Sequence, residues 1–341
     1  MHDNGRGALV EPRRRANAPP QCHHVSMGES EGTLPVDFMH EPSWASLVAP
    51  VLSHSIDPHS LARLPRRDRD YAYRMVSHLE SPISADQTQR WFRDAPSAIT
   101  AALVGAAKVR DADRLLRGRR LADVAPADAD RCAVMLADAD SSLRSACMHY
   151  PKAIAPWIPR IGIARALEWG HDEVLRYFAE AQSRERWNLL AADEASAGLS
   201  PASSDAYAAR LNIATEARAN SPEGHPVRAL MALAEAASAL KDMTSDRDIR
   251  PVRGGPEIAR DLVHYVRALP DELDPDDVIA LGAFLFVASP RQPEEAESVM
   301  RGLELLRGRC GGRPYTELAD PANWFRRTLD AREAEARALL A

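Results

Sequence analysis

Residues 139–187 place the tightest limit on the fold, because two consecutive blocks of them repeat one spacing of small and bulky apolar side chains. Small residues let two helices approach closely where they cross, and bulky residues fill the space to either side. Such a spacing is typical of helical repeats, in which each unit is a pair of antiparallel helices. We therefore expect a helical hairpin here, preceded by one further helix.

The second block fits the tetratricopeptide pattern W-x2-L-G-x2-Y, followed by A-x3-F and a small residue. Gly162 stands at the glycine of this pattern. The other matched or apolar positions are Ile158, Ile161, Val174, Phe178 and Ala181. Two positions depart from the pattern, because Arg165 stands where Tyr is expected and Arg186 stands where Pro is expected. The repeat is therefore degenerate.

The first block carries the second-helix positions of the preceding repeat. These positions are Ala139, Leu143, Ala146 and Pro151. The proline lies where it would end one helix before the next begins. Because only roughly one and a half repeats are in register, a generic bundle of amphipathic helices is the alternative interpretation.

Composition also favours helix over sheet. Aromatic residues make up only 6% of the chain, the sequence is rich in the strong helix formers Ala, Leu, Arg and Glu, and β-branched residues nowhere alternate over a long stretch. Helix starts are marked by Pro126, by Asp274 followed by Pro275, and by Pro293. The predicted fold is all-α, with antiparallel helical hairpins stacked as a short, irregular tetratricopeptide-like α-solenoid.

The chain divides into three predicted parts. Residues 1–40 mix Gly, Pro, Arg and His without a period and are expected to form a disordered leader. Residues 41–118 carry short helical faces and are expected to form an N-terminal helical cap. Residues 119–341 contain the repeat pattern and are expected to form the helical-repeat domain.

Charge and hydropathy restrict the partners. The net charge of −6 argues against a dedicated nucleic-acid or anionic-membrane binder, whose surface would be basic. The longest apolar run, residues 278–288, is shorter than the ~18 residues of a membrane span and predicts a buried helix. Cys132 and Cys147 are expected to be reduced, buried thiols about four turns apart on one helix. Without an apolar signal segment, the sequence predicts a cytoplasmic protein.

Several short motifs have the residue types of catalytic or metal sites but lack the context. Residues 28–32 match GxSxG, yet polar sequence flanks them where a hydrolase needs a strand and a helix. Residues 22–24 read Cys-His-His without a fourth ligand. Glu168 and His171 form a single ExxH pair, whereas a di-iron site needs two such pairs. Asp261 and His264 have a similar spacing, and we expect a solvated or core-edge histidine there. The sequence predicts no catalytic residue, cofactor or metal.

Basic residues cluster at positions 13–15, 63–69 and 114–120. Arg114, Arg117 and Arg120 recur every three residues and would lie near one face of a helix end, where a phosphate or an acidic peptide could bind. The alternative is a solvated helix C-terminus, where arginine complements the helix dipole.

The order of landmarks in the second half resembles a family of uncharacterised bacterial all-helical proteins, a domain of unknown function with tetratricopeptide-like character. The landmarks are Tyr150-Pro151 followed by Ala155-Pro156-Trp157, the turn at residues 221–224, and Ala319-Asp320-Pro321 before Trp324-Phe325. The resemblance covers roughly residues 120–335, but residues 198–204 lack the family's Trp- and Gly-containing motif. It implies a helical-repeat architecture and carries no activity.

The leading functional hypothesis is a non-catalytic helical-repeat protein that binds an unidentified protein or peptide on a concave face, as solenoids do. The candidate interaction surface is Trp157, Arg165, Trp169, His171 and Arg186. The alternative for Trp157, Trp169 and Trp187 is that they are core residues between hairpins, which is the commoner use of a tryptophan. Two alternatives stay open: an enzyme or small-ligand binder with a pocket between the hairpin and the C-terminal helices, and an adaptor in a regulatory or nucleoprotein complex.

Overall fold

A computed structural model describes most of the chain. The described residues are 56–77, 81, 83–116, 119–199, 204–242, 255–270, 273–306 and 321–341. All regular secondary structure in these ranges is helical, and no strand occurs in them. The all-α prediction is confirmed.

Fourteen α-helices follow one another along the described ranges. They are α1 Pro58–Leu61, α2 Arg66–Ser77, α3 Ala85–Asp94, α4 Ala98–Leu116, α5 Pro126–His149, α6 Trp157–Ala166, α7 His171–Gln182, α8 Leu189–Gly198, α9 Ser204–Asn220, α10 Leu230–Asp242, α11 Pro256–Ala268, α12 Pro275–Val287, α13 Pro293–Leu306 and α14 Pro321–Leu340. Two short 3-10 helices, Leu121–Asp123 and Pro226–Ala229, precede α5 and α10.

The predicted helix starts are present, and local side chains explain them. Pro126 occupies the first turn of α5, where its missing N–H costs nothing. At α12, Asp274 accepts a hydrogen bond from the Asp277 backbone N–H at 2.9 Å, and Asp277 accepts one from the Asp274 N–H at 3.2 Å. This reciprocal arrangement is a capping box, with Pro275 in the first turn.

The even-numbered helices form a continuous row. α2 packs against α4, α4 against α6, and the same relation continues through α8, α10, α12 and α14. The odd-numbered helices lie against this row; α3 and α5 pack on α4, and α7 packs on both α6 and α8. In addition, α2 contacts α12. Helices from the first and last thirds of the chain therefore meet.

Burial follows the predicted apolar pattern. All the matched or apolar repeat positions from Ala139 to Ala181 except Pro151 are buried, and so is the apolar run at residues 278–288. Cys132 and Cys147 are buried, unbridged and on one helix, as expected. Among the described helices, none has the combination of length and apolar composition needed to cross a membrane.

Two arginines are almost completely buried at helix ends, which the sequence did not predict. Arg110 donates to the backbone carbonyls of Val76 at 2.9 Å and Ile83 at 2.6 Å. Arg332 donates to the carbonyls of Leu285 at 3.1 Å and Phe286 at 2.9 Å, in the last turn of α12. A guanidinium at a helix C-terminus satisfies carbonyls that have no partner within the helix.

Some predictions fall on residues outside the described ranges. These are the leader at residues 1–40, the GxSxG match, the Cys-His-His cluster and Arg117. The boundary between the cap and the repeat domain at residues 118 and 119 stays a prediction. Helices on its two sides pack together, since α4 contacts both α5 and α6.

Candidate functional site

The hairpin of α6 and α7 separates the five candidate interaction residues into two groups. Because the two helices are antiparallel, Trp157 at the start of α6 lies near the end of α7, and Arg186 follows that end. Arg165, Trp169 and His171 lie at the opposite, turn end. The ten residues of α6 span about 15 Å, so the two groups do not form one contiguous site.

Trp157 is a partly buried residue held between two arginines. The guanidinium of Arg160 lies 4.8 Å from its ring centroid and that of Arg184 lies 4.6 Å from it. The ring of Tyr177 is 6.1 Å away. Arg186 instead lies over the ring of Trp187 at 4.6 Å. The contacts of Trp157 are those of an aromatic that helps to join helices.

A buried polar network ties α5, α6 and α7 together beneath Trp157. Arg160 Nε donates to Asp140 at 2.7 Å, and Arg160 Nη2 donates to the Tyr177 hydroxyl at 2.9 Å. Arg144 donates to the other oxygen of Asp140 at 2.8 Å. Asp140 and Arg160 are both buried, so each compensates the charge of the other.

Arg165 is paired with a carboxylate of the neighbouring helix α4. Its two terminal nitrogens donate to the two carboxylate oxygens of Asp113 on α4, at 3.1 and 2.8 Å. This bidentate pair fixes α6 against α4. The substitution of Arg for the repeat's Tyr therefore has a structural partner.

Trp169 is an exposed aromatic on an unusual turn. Trp169 is 42% exposed, and its backbone N–H donates to the Ala164 carbonyl at 3.1 Å. The Glu168 N–H donates to the Arg165 carbonyl at 3.1 Å, and Glu168 has φ 52°. Together these bonds make a Schellman motif, in which the left-handed position is usually glycine.

The Glu168 side chain holds this turn in place. Its carboxylate accepts hydrogen bonds from Arg120 at 3.0 Å and from the Leu121 backbone N–H at 2.9 Å. The bond from Arg120 is the main cause that lowers the pKa of Glu168. Arg120 itself lies beyond the end of α4, so it does not share a helix face with Arg114.

The ExxH pair is split by the turn. α6 ends at Ala166, and Gly170, with φ 93°, is the residue that precedes α7. While Glu168 faces Arg120, the His171 side chain lies 3.3 Å from Asp172. In the described part of the chain, no group of three or more His, Cys, Asp or Glu side chains is placed to hold a metal ion.

A second polar constellation lies where α2 meets α12. We define the α2–α12 charged cluster as Arg66, Asp70, Arg74, Glu185 and Asp276. Arg74 donates to Asp276 at 2.8 Å. Arg66 Nη2 lies 2.6 Å from Glu185, and Arg66 Nε lies 3.9 Å from Asp70. The cluster therefore joins α2, the segment after α7, and the start of α12.

Asp70 is the most perturbed acid of this cluster. Burial, followed by the nearby Asp276 carboxylate, raises the pKa of Asp70 to about 7. Close by, burial and then the positive charge of Arg66 lower the pKa of His225. A buried carboxyl group with a pKa near neutrality is a feature often found at functional sites.

A small cavity adjoins Asp70. It has a volume of about 20 Å³, and Asp70, Arg69 and Glu185 supply its polar lining. The rest of the lining is mainly apolar and comes from α4, α6, α8 and the segment before α6. This volume accommodates about one water molecule.

The start of α12 carries another perturbed acid. The hydroxyl of the buried Tyr265 donates to Asp277 at 2.7 Å. Burial, followed by the charge of Asp274, raises the pKa of Asp277 to about 6. Burial also raises the pKa of Tyr265 well above its usual value. The capping box fixes the first turn of α12, and the bond from Tyr265 anchors that turn to α11.

Asp261 and His264 do not act as a pair. Asp261 is buried and faces Arg218 and Arg228, with Arg228 Nη2 at 3.5 Å. His264 is partly exposed, and its Nδ1 lies 3.9 Å from Glu223. The histidine thus lies at the edge of the core.

Sequence reasoning missed the α2–α12 charged cluster. The spacing of Arg66, Asp70 and Arg74 at four-residue intervals was the one local signal, because it places all three on one face of a helix. Comparison of the chain with protein-family models, curated proteins and solved structures finds no match.

Proposed function

We propose that this chain is a cytoplasmic helical-repeat protein that binds another protein or a peptide through the turn between α6 and α7. The observation that carries the proposal is the exposed indole of Trp169 on a turn that Glu168 ties to Arg120 and Leu121. A large aromatic side chain held on an ordered backbone loses little entropy on binding, which is typical of interface hot spots.

The packing of the helices supports a tetratricopeptide-like α-solenoid as the framework. In a solenoid each repeat contacts only its neighbours, so alternate helices form a row. The even-numbered helices pack in this way from α2 to α14, and the contact between α2 and α12 departs from this rule. The family resemblance of residues 120–335 points to the same architecture. His171 and Arg165 lie at the same end of the hairpin as Trp169 and would border the contact.

The experiment is site-specific photocrosslinking in the native host. A benzoylphenylalanine at position 169 should capture a defined partner that is absent when the probe replaces Met148, an exposed apolar residue on α5. Trp169→Ala should then lower the affinity for that purified partner at least tenfold, whereas Met148→Ala should leave it unchanged. Equal capture at both positions would contradict the proposal.

The α2–α12 charged cluster favours a second candidate function, the binding of a small polar ligand or catalysis on it. Here the carrying observation is the pKa of Asp70, near 7, next to Arg66, whose side chain is 51% exposed and so accessible to a ligand; the adjoining cavity itself holds only about one water molecule. Thermal-shift measurements with phosphate, carboxylate and amine compounds test it. A compound that stabilises the wild type, but not Asp70→Asn, would support this function; uniform absence of a shift would count against it.

A further inference from the structure

The α2–α12 charged cluster contains more carboxylates than its two short ion pairs can satisfy. Arg66 and Arg74 lie one helical turn before and after Asp70 on α2. The short contact of Arg66 is to Glu185 at 2.6 Å, and that of Arg74 is to Asp276 at 2.8 Å. Asp70 lies between the two arginines but 3.9 Å from Arg66 Nε, beyond hydrogen-bond distance. The cluster therefore has three carboxylates and two short ion pairs, and Asp70 belongs to neither pair.

The position of Asp70 makes a surplus negative charge costly. Its side chain is only 15% exposed, and Arg74, one turn further along α2, holds the Asp276 carboxylate of α12 at 2.8 Å. Two carboxylates that share a poorly solvated site repel each other when both are ionised. Neutral Asp70 removes this repulsion and leaves both ion pairs intact.

We propose that Asp70 is a proton-operated latch between α2 and α12, closed when its carboxyl group is protonated and loosened when the group ionises. In the closed form, Arg74 stays with Asp276 and holds α2 on α12. In the loosened form, ionised Asp70 competes with Asp276 for Arg74 and repels the start of α12. The latch thus couples the first helices of the row to helices about 200 positions later in the chain.

Other charged groups near Asp70 leave the acids in excess, because four of them, Asp70, Glu185, Asp193 and Asp276, face three arginines, Arg66, Arg69 and Arg74. From α2 itself, Arg66, Arg69 and Arg74 face the cluster; from the segment after α7, Glu185 does. α8 contributes Asp193, whose charge acts on Arg74, and α12 contributes Asp276. On the neighbouring α4, Arg110 is bonded to Asp111 and to backbone carbonyls. His225, which precedes the 3-10 helix Pro226–Ala229, has a lowered pKa and therefore becomes neutral at a lower pH than usual.

The direction of the pH effect follows from proton linkage. The pKa of Asp70 rises from 3.8 to about 7 in the folded chain, so the closed form binds a proton that the open form releases between these values. Closure is therefore fully stabilised below about pH 4, weakens as the pH rises, and stops changing above about pH 7. The equilibrium constant for opening should rise by up to about tenfold per pH unit inside this window.

Hydrogen exchange of the full chain, followed by mass spectrometry from pH 5.5 to 8, measures the opening. Rates are corrected for the intrinsic pH dependence of amide exchange. We expect protection of Arg66–Ser77 and Pro275–Val287 to fall by at least tenfold from pH 5.5 to 7 and then to level off. Asp70→Asn, which cannot ionise, should show the same protection at every pH in this range. A wild-type profile without this fall, or an identical fall in Asp70→Asn, overturns the proposal.

Three further variants test whether Asp70 is the group whose ionisation causes the fall in protection. Asp68→Asn on the same helix should keep the wild-type profile. Glu185→Gln frees Arg66 for Asp70 and should move the fall to lower pH, which gives a test independent of whether Asp70→Asn folds. His225→Gln should keep the fall; its loss in that variant would identify His225 as the titrating group and overturn the proposal.

Discussion

Arg74 on α2 donates a 2.8 Å hydrogen bond to Asp276 on α12, across 202 positions of the chain. The side chains of both residues are about nine-tenths buried, at 11% and 10% exposed. Removal of one member leaves the charge of the other buried without its partner, which typically costs about 3–5 kcal/mol. This bond is therefore central to the contact between the first and last parts of the helix row.

Substitution of this arginine should strongly destabilise the chain. We expect Arg74→Met to lower the free energy of unfolding by about 3 kcal/mol, because Met keeps much of the side-chain volume but leaves Asp276 unpaired. Urea unfolding measures the change. The matched control is Arg337→Met, which removes an exposed partner of Glu333 and should cost less than about 0.5 kcal/mol. Equal losses in the two variants would show that the α2–α12 bond contributes little.

The turn at Glu168 should prefer glycine to alanine. Both substitutions remove the bonds to Arg120 and Leu121, but only glycine adopts the left-handed backbone at φ 52° without steric cost. We expect Glu168→Gly to be about 1 kcal/mol more stable than Glu168→Ala.

An exposed position inside a helix should show the opposite order. At Glu297 on α13, the alanine variant should be more stable than the glycine variant by about 1 kcal/mol, because glycine weakens a helix interior. Thermal unfolding of the four variants tests both orders. If alanine is the better residue at both positions, the Schellman motif at Glu168 is incorrect.

Gly105 should tolerate alanine less well than Gly162, the glycine of the repeat pattern. A Cβ at Gly105 would lie 2.7 Å from Pro159 Cβ and 2.8 Å from Leu143 Cδ1, where α4, α5 and α6 meet. At Gly162 the nearest atom would be Val109 Cγ1, at 3.2 Å. We expect Gly105→Ala to cost about 1–3 kcal/mol and Gly162→Ala to cost less. Urea unfolding decides, and the reverse order would contradict the packing at this crossing.

Loss of the Tyr265 hydroxyl should change stability and its pH dependence together. Tyr265→Phe leaves Oδ1 of Asp277 without its hydrogen-bond donor, while Oδ2 keeps the bond from the Asp274 N–H, and should cost about 1–3 kcal/mol near pH 7. The hydrogen bond lowers the pKa of Asp277 toward its present value of about 6. Its removal raises that pKa further, so the acid stays protonated in the folded state to higher pH.

The sign of this pH effect can be measured directly. Through Asp277 the folded chain binds one proton more than the unfolded chain between the unfolded pKa of 3.8 and about 6, and Asp70 adds a second proton up to about pH 7, so stability falls more steeply below pH 6 than between pH 6 and 7. In Tyr265→Phe the steeper part of the fall should extend above pH 6. Urea unfolding from pH 4 to 8 tests this, and Tyr207→Phe on α9 is the control, which should keep the wild-type profile. A steeper part that ends at the same pH in Tyr265→Phe as in the wild type would contradict the role of the hydroxyl.

The sequence by itself determined the helices and the side of each that is buried. The start of α12 at Asp274 and Pro275, the break at Gly170 and the burial of Phe178 depend on residues within a few positions along the chain. Capping and apolar periodicity act over one or two helical turns, so these features can be inferred locally.

Only the tertiary structure decided which polar side chains meet. Nothing near Arg74 in sequence indicates Asp276, and nothing near Glu168 indicates Arg120. The sequence placed Trp169 and Trp157 in one candidate surface, whereas the antiparallel hairpin puts them at opposite ends. An ion pair needs only complementary charge within a few ångströms, and many residues of this chain offer that charge. The packing of the helix row selects among them, because it brings α2 against α12. The same packing buries Asp70 near Asp276 and thereby raises the pKa of Asp70.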